Sequence, residues 1–274
     1  MNKNISAVLF KQQFRSRLSS MMMWVVLWSL LLLLFATVFN SLSKDAAVSS
    51  KIFKQLPSGI FNSFNIDPSS YLSHIESFIS GQFLSVYLLA GSIFAFSLGV
   101  NSIGKRIESR VIAMYLTKPI SRNRFYAVQS FVNVTYFFVV SSVLCVISLV
   151  IFNNLLKNQN NVSTSYFTAL FLGSGLLFVV LTVLGQLVGV VLNGGKAVIA
   201  GAGIVVVSWF LNSLAPLAHL PSWVQNLSLF HYFNVSLLRT DYKLAVNLTV
   251  QLVIIGLVLF IIGRRVFKHK DLYI

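Results

Sequence analysis

Apolar and polar residues fall into long blocks along this chain rather than alternating. Six stretches, at 21–39, 82–100, 131–152, 166–192, 197–214 and 244–263, contain no Asp, Glu, Lys, Arg or His. A helix needs about 20 residues to cross a hydrocarbon core of about 30 Å, so each stretch is predicted to span a membrane as a helix. The fourth is long enough to tilt or to continue beyond the lipid. The first is too long for the apolar core of a cleaved signal peptide, and basic residues precede it for 20 positions, so it is read as a true span.

The polar blocks are unequal. Residues 40–81 form a long loop with turn signals at Pro57-Ser58-Gly59 and Asp67-Pro68. After it, Tyr71, Leu72, Ile75, Phe78 and Ile79 share a helical face, which predicts an interfacial helix feeding the second span. Residues 153–165 are Asn-rich and polar. Residues 215–243 are too apolar for a free loop and too broken by Pro216 and Pro221 for a span, so short interfacial or re-entrant helices are expected, with Trp223 at headgroup level. Ile5, Val8, Leu9 and Leu18 recur on one face near the N-terminus, with Phe10 and Phe14 beside it, among Lys and Arg. A basic amphipathic helix lying on the membrane surface is the expected form. No repeat, low-complexity tract or soluble domain interrupts residues 1–274, which are read as one transmembrane domain.

Composition agrees with an all-α integral membrane fold. Of 274 residues, 56% are hydrophobic and only 10% charged, against about 25% charged in soluble domains. The mean hydropathy is +0.81. The net charge of +15 could mark a nucleic-acid binder, but the basic residues sit at the ends of apolar runs instead of lining one face of a soluble fold, so no nucleic acid is expected. Residues 1–20, 101–130, 193–196 and the tail after 263 carry 15 of the 21 Lys and Arg. The positive-inside rule then places both termini in the cytoplasm, and an even number of spans agrees. Anionic lipid is the partner such an inner surface attracts.

Candidate chemistry is sparse. Cys145 stands alone, and the four histidines show no metal-ligand spacing. The run Asn193-Gly194-Gly195-Lys196-Ala197-Val198 lacks the upstream glycine and the Ser or Thr of a phosphate-binding loop, and reads as a flexible turn. The chain is therefore read as neither an enzyme nor a nucleotide binder. Ion-coupled carriers use acidic, basic or His side chains within the lipid, and the six stretches hold no Asp, Glu, Lys, Arg or His. Asn133, Ser141, Ser142, Gln186 and Asn212 are expected to join helices by hydrogen bonds.

The densest charge lies in Glu108–Phe125. Ile103, Ile107, Val111, Met114 and Tyr115 recur at helical spacing, with Lys105, Arg106, Glu108 and Arg110 on other faces. This predicts a short amphipathic helix over 103–117. Pro119 should stop it, and Ser121 should cap a new helix from Arg122. Two readings fit: a solvated connection that only fixes topology, or a docking surface for a cytoplasmic partner.

The segment "GKRIESRVIAMYLTKPISRNRF" resembles the cytoplasmic loop of ABC-2 type transporter permeases, with Glu108, Leu116, Pro119, Ser121 and Arg122 at the matching positions. The tail "FKHKDLYI", through Phe267, Asp271 and Leu272, is similar to that family's frequent ending. Val111 and Ile112 stand where the loop often carries a Glu-x-x-x-Gly pattern, and Gln129 where a Lys is common. The resemblance implies an N-terminal elbow helix, a cytoplasmic coupling helix and a translocation path formed by two copies, or by this chain with a related permease. ATP and Mg would bind on two separate ATPase subunits, in a plasma-membrane exporter. It further implies that Ile107, Glu108, Arg110, Val111, Met114, Tyr115, Leu116, Pro119, Ser121 and Arg122 form the docking surface. A non-transporting scaffold that recruits a partner through the same loop, and a passive carrier, are the alternatives.

Overall fold

The computed structural model describes residues 2–44, 75–112, 120–155, 163–192, 194–214, 221–234, 237 and 242–270. Those residues build helices joined by turns. Helix α1 covers Asn2–Arg15, α2 Leu18–Lys44, α3 Ile75–Glu108, α4 Arg122–Leu155, α5 Thr164–Val191, α6 Gly194–Leu214, α7 Ser222–Asn226 and α8 Tyr242–His269. Six of them, α2 to α6 and α8, are long and apolar enough to cross a membrane. All six are longer than the apolar stretches that predicted them. Hydrocarbon thickness sets the minimum apolar run, but the backbone hydrogen bonds continue into polar residues at both ends.

The bundle is organised around α5. It lies against α3 more extensively than any other pair of elements touches, and α4 and α8 pack on it as well. The reason is a seam of glycines. A Cβ at Gly99 would collide with the carbonyl oxygen of Thr182, and one at Gly185 with that of Phe96. A Cβ at Gly104 would stand 2.6 Å from the Gly189 oxygen, and one at Gly189 3.0 Å from the Val100 Cα. The two backbones therefore touch, with no side chains between them. Lipid tails are as apolar as Leu, so helices in a bilayer associate through close packing and hydrogen bonds, and small residues favour both. Thr182 donates to the Ala95 carbonyl across the seam at 3.0 Å. Gln186 links three helices: its Nε2 donates to Ser102 of α3 at 3.1 Å, and its Oε1 accepts from Ser130 of α4 at 2.8 Å.

Aromatic rings fill the space beside the seam. Trp28 of α2 stands edge-on to Tyr87 of α3, with centroids 4.9 Å apart, and Tyr87 meets Phe178 of α5 edge-on at 5.3 Å. Phe137 of α4 closes the group against Phe178 at 5.7 Å. Of the polar residues expected to tie helices together, Asn133 and Gln186 do so, Asn133 to Arg17. Ser141 fills the notch left by Gly175 of α5 instead.

Helix α3 begins earlier than its apolar run. The predicted interfacial helix is continuous with the span: Ile75–Phe78 is helical and passes through a π turn at Ile79–Phe83 into the rest of α3. Ile75, Phe78 and Ile79 are buried, as their shared face predicts, while Tyr71 and Leu72 lie outside the described residues. Glu76 is buried too. Its Oε1 accepts from the Ser163 amide at 2.9 Å, just ahead of α5, where a carboxylate complements the helix dipole. At this same end Ser228 bonds Ser208 (Oγ to carbonyl oxygen, 2.9 Å) and so fastens the turn Leu229–Tyr232 to α6. Trp223 on α7 is exposed.

Three expectations change. The prediction of one helix over 103–117 fails at Ser109–Arg110: α3 ends at Glu108, and Arg110 adopts a left-handed φ of 56°. The reading of a flexible turn changes at Gly194, Gly195 and Lys196, which form the first turn of α6, and no described glycine takes a positive φ. On α1, Val8 points outward and is 65% exposed, while Leu9 and Gln13 are buried. The inward face is thus set by contact with α4 rather than by the apolar sum along the helix.

Most of the outer surface is apolar. Leu30, Phe138, Val146, Ile199 and Leu257 are all more than half exposed. A surface of this kind belongs in lipid, and the chain is a multi-pass membrane protein. Replacing Gly99 by Val is expected to drive α3 and α5 apart and to cost at least about 3 kcal/mol, the upper range for overpacking. Gly203→Val, whose Cβ would meet nothing within 4 Å, should change stability by no more than about 0.5 kcal/mol. Unfolding titrations of the detergent-solubilised variants measure both.

Candidate functional site

The basic ends of the helices meet at one end of the bundle, where a second hydrophobic cluster lies apart from the aromatic core. It consists of Leu9, Ile103, Ile112, Ile120, Phe125, Tyr126, Val190 and Phe267, with Ile107, Val128 and Phe260 against it. These come from α1, the end of α3, the start of α4, the end of α5 and the end of α8. Both ends of the chain's described part therefore lie at the same end of the molecule, as an even number of spans requires.

The cluster also decides how the 103–125 segment is mounted. Its first foot is Ile103 and Ile107, with Ile112 just past the break. Its second foot is Ile120, Phe125 and Tyr126. Phe125 stacks on Phe267, with centroids 6.3 Å apart and planes at 29°. At Arg110 the left-handed conformation turns the chain back, so Val111 faces out, 39% exposed, while Ile112 is buried. Ser121 caps α4 as predicted: its backbone oxygen accepts from the Arg124 and Phe125 amides at 3.0 Å, and its Oγ lies 3.4 Å from the Arg124 nitrogen.

The residues singled out in the sequence do not share one environment. Glu108, Arg110, Val111 and Ser121 are exposed, and Ile107 is half-buried against the cluster. Met114, Tyr115, Leu116 and Pro119 lie outside the described residues. Arg122 has a structural occupation: its guanidinium donates to the Lys270 carbonyl at 2.8 Å, at the end of α8, where a cation suits the helix dipole. Lys270 in turn donates to the Val190 carbonyl at the end of α5.

Polar contacts that the sequence does not announce hold α1 in place. Arg17 donates to Asn133 of α4, and Arg106 of α3 donates to Gln13 of α1 while standing 5.9 Å over the Phe125 ring. Burial, and then the neighbouring charge of Arg106, lower the Arg17 guanidinium to about 10. It stays protonated at neutral pH. The Asn133 Nδ2 is buried without a partner. These residues are separated by up to 120 positions, and no spacing rule joins them.

On the far side of α4 a lateral groove of about 850 Å³ opens between α1, α4, α5 and α8. Phe10 of α1 and Phe131 of α4 form one wall, their centroids 5.5 Å apart. Val179 and Val183 of α5 and Val253 and Leu257 of α8 form the rest, and Arg124 is the charged residue of its lining. Among the described residues, no three of His, Cys, Asp or Glu gather in one place. The geometry here suits mechanical attachment and apolar contact.

The chain matches no family model, no curated protein and no solved structure.

Arg122→Ala should loosen the tail of α8 without unfolding the bundle. A hydrogen bond to a charged group is worth about 1.5–3 kcal/mol, so exchange of the Lys270 amide, which bonds the Val266 carbonyl at 3.0 Å, is expected to quicken at least about tenfold. Hydrogen-exchange mass spectrometry on the solubilised chain reads this, with the α5 amides unchanged.

Proposed function

We propose that the chain is the membrane-spanning subunit of an ATP-driven exporter of the ABC-2 permease type. Both termini would face the cytoplasm and the plasma membrane would be its site. A second copy or a related permease would complete the path. Two separate ATPase subunits, carrying ATP and Mg, would seat against the 103–125 segment. The reading begins from the sequence resemblance of that segment and of the tail.

One observation carries it further: both feet of the segment rest in the cluster that also holds α1, α5 and α8. A solvated connection needs no such mount. A segment that transmits force needs both of its ends set in the body it moves. Glu108, Arg110 and Val111 stand outward between the feet, available to a partner. The absence of Asp, Glu, Lys, Arg and His from the six apolar stretches accords with work supplied from outside the lipid, since ion-coupled transport uses such groups within it.

Val111→Asp combined with Met114→Asp tests the docking role. Tagged full-length chain purified from its host should carry ATP-hydrolysing activity. The double variant should lose at least about tenfold of that co-purifying activity, as expected when a contact centre is broken, while its membrane insertion stays normal. Retention of the activity by a correctly inserted variant would remove the docking role.

A further inference from the structure

The lateral groove between α1, α4, α5 and α8 has no part in the proposed coupling, yet it encloses about 850 Å³. Its depth is readable from α4. Arg124 and Val134 both line it, ten residues apart, which at 1.5 Å per residue is about 15 Å. Arg124 lies in the first turn of α4, at the basic end of the bundle. The groove therefore starts at headgroup level and ends near the bilayer midplane, since the hydrocarbon core is about 30 Å thick. On α8 the lining residues run from Phe260 to Val253, away from the same end.

The groove opens sideways, and its walls are shaped by Phe, Val and Leu side chains that flexible hydrocarbon can follow. The walls are apolar apart from Ser6 and Ser130, and the charge sits only at the shallow end. Nearby, α1 crosses the mouth with Ser6, Ala7 and Phe10 at its edge. The lining thus carries one positive group at headgroup depth above one leaflet's thickness of apolar wall.

We propose that this groove is a binding site for an anionic phospholipid of the leaflet on the side of the termini. Its acyl chain lies along Phe131, Val179 and Leu257, and its phosphate sits at Arg124. The lipid bridges α1 to α4, α5 and α8, and so braces the end of the bundle that the Leu9–Phe267 cluster also holds. The inference does not depend on the transport reading.

The test uses the full chain reconstituted in vesicles of phosphatidylcholine and phosphatidylglycerol. A trace phospholipid carries a photoactivatable diazirine halfway along one chain, with either headgroup, and the attached peptides are located by mass spectrometry. Phosphatidylglycerol adducts should concentrate on 128–134, 176–183 and 253–260. They should exceed those of the phosphatidylcholine probe by about fivefold, the preference expected from one basic residue near the surface. Arg124→Gln should abolish the preference and Arg124→Lys should keep it. Leu257→Trp, at a position 57% exposed, should fill the groove and lower both yields. Equal wild-type yields for the two headgroups would overturn the proposal. So would adducts spread evenly over the exposed faces of α2 and α6, or crosslinks from a second copy into the groove. The wild-type map decides the matter even if a variant fails to fold.

Discussion

Backbone contact between α3 and α5 is the constraint on which the rest of this molecule depends. Gly99, Gly104, Gly185 and Gly189 bring the two main chains together, and the absence of side chains there lets Thr182 and Gln186 reach across. In lipid, where burying apolar surface drives little association, such a seam does the work that a hydrophobic core does in water. Once α3 and α5 are joined, α4 is placed by Gln186 and the aromatic group. Helix α6 is placed by its contact with α3, where Gly201 faces the Phe96 ring. Helices α2, α6 and α8 complete the bundle with much of their surface left to lipid.

The polar residues follow the same economy. The bonds from Thr182 to Ala95, from Gln186 to Ser102 and Ser130, and from Arg17 to Asn133 each join separate elements. At the basic end the charges meet few carboxylates, and Glu108 is the one among the described residues there. Arg17 and Arg106 are held as near neighbours: Arg17 donates to the Asn133 amide, and Arg106 donates to the Gln13 amide and stands over the Phe125 ring. Such an end is repulsive in isolation. An anionic lipid surface is the environment that relieves it, and the lateral groove opens from that surface.

The spans were legible because lipid thickness imposes a length that few other structures need. Apart from Leu192, one residue past α5, the six apolar stretches lie within helices, and helix ends run on through Lys44, Glu108 and Arg122 because hydrogen-bonded turns do not stop where the hydrocarbon does. The Ser121 cap was legible from residue type alone. The helix predicted over 103–117 was not correct, because periodicity continued past Arg110 whereas the backbone did not. Arg122 looked like a docking residue by position, and only the return of α8 to the same end gives it the Lys270 carbonyl. Of the seam, Gly185-x-x-x-Gly189 on α5 and Ala95-x-x-x-Gly99 on α3 were local signs, a small-residue spacing typical of close helices. Gly104 falls outside that spacing. The groove and the α1 contacts combine residues from up to four separate helices, so no window of sequence contains them.

The two feet of the 103–125 segment are also joined inside the bundle. The first foot stands on α3, which meets α5 along the glycine seam. The second foot stands on α4, whose links to α5 include Gln186 at Ser130, one turn beyond Tyr126. Ser102, the other partner of Gln186, lies directly before Ile103. Farther along, Phe137 meets Phe178 and Ser141 fills the Gly175 notch, so α4 is tied to α5 well beyond Ser130. Both feet therefore rest on helices that share one partner, and α5 is the element that connects the segment's mount to the rest of the bundle.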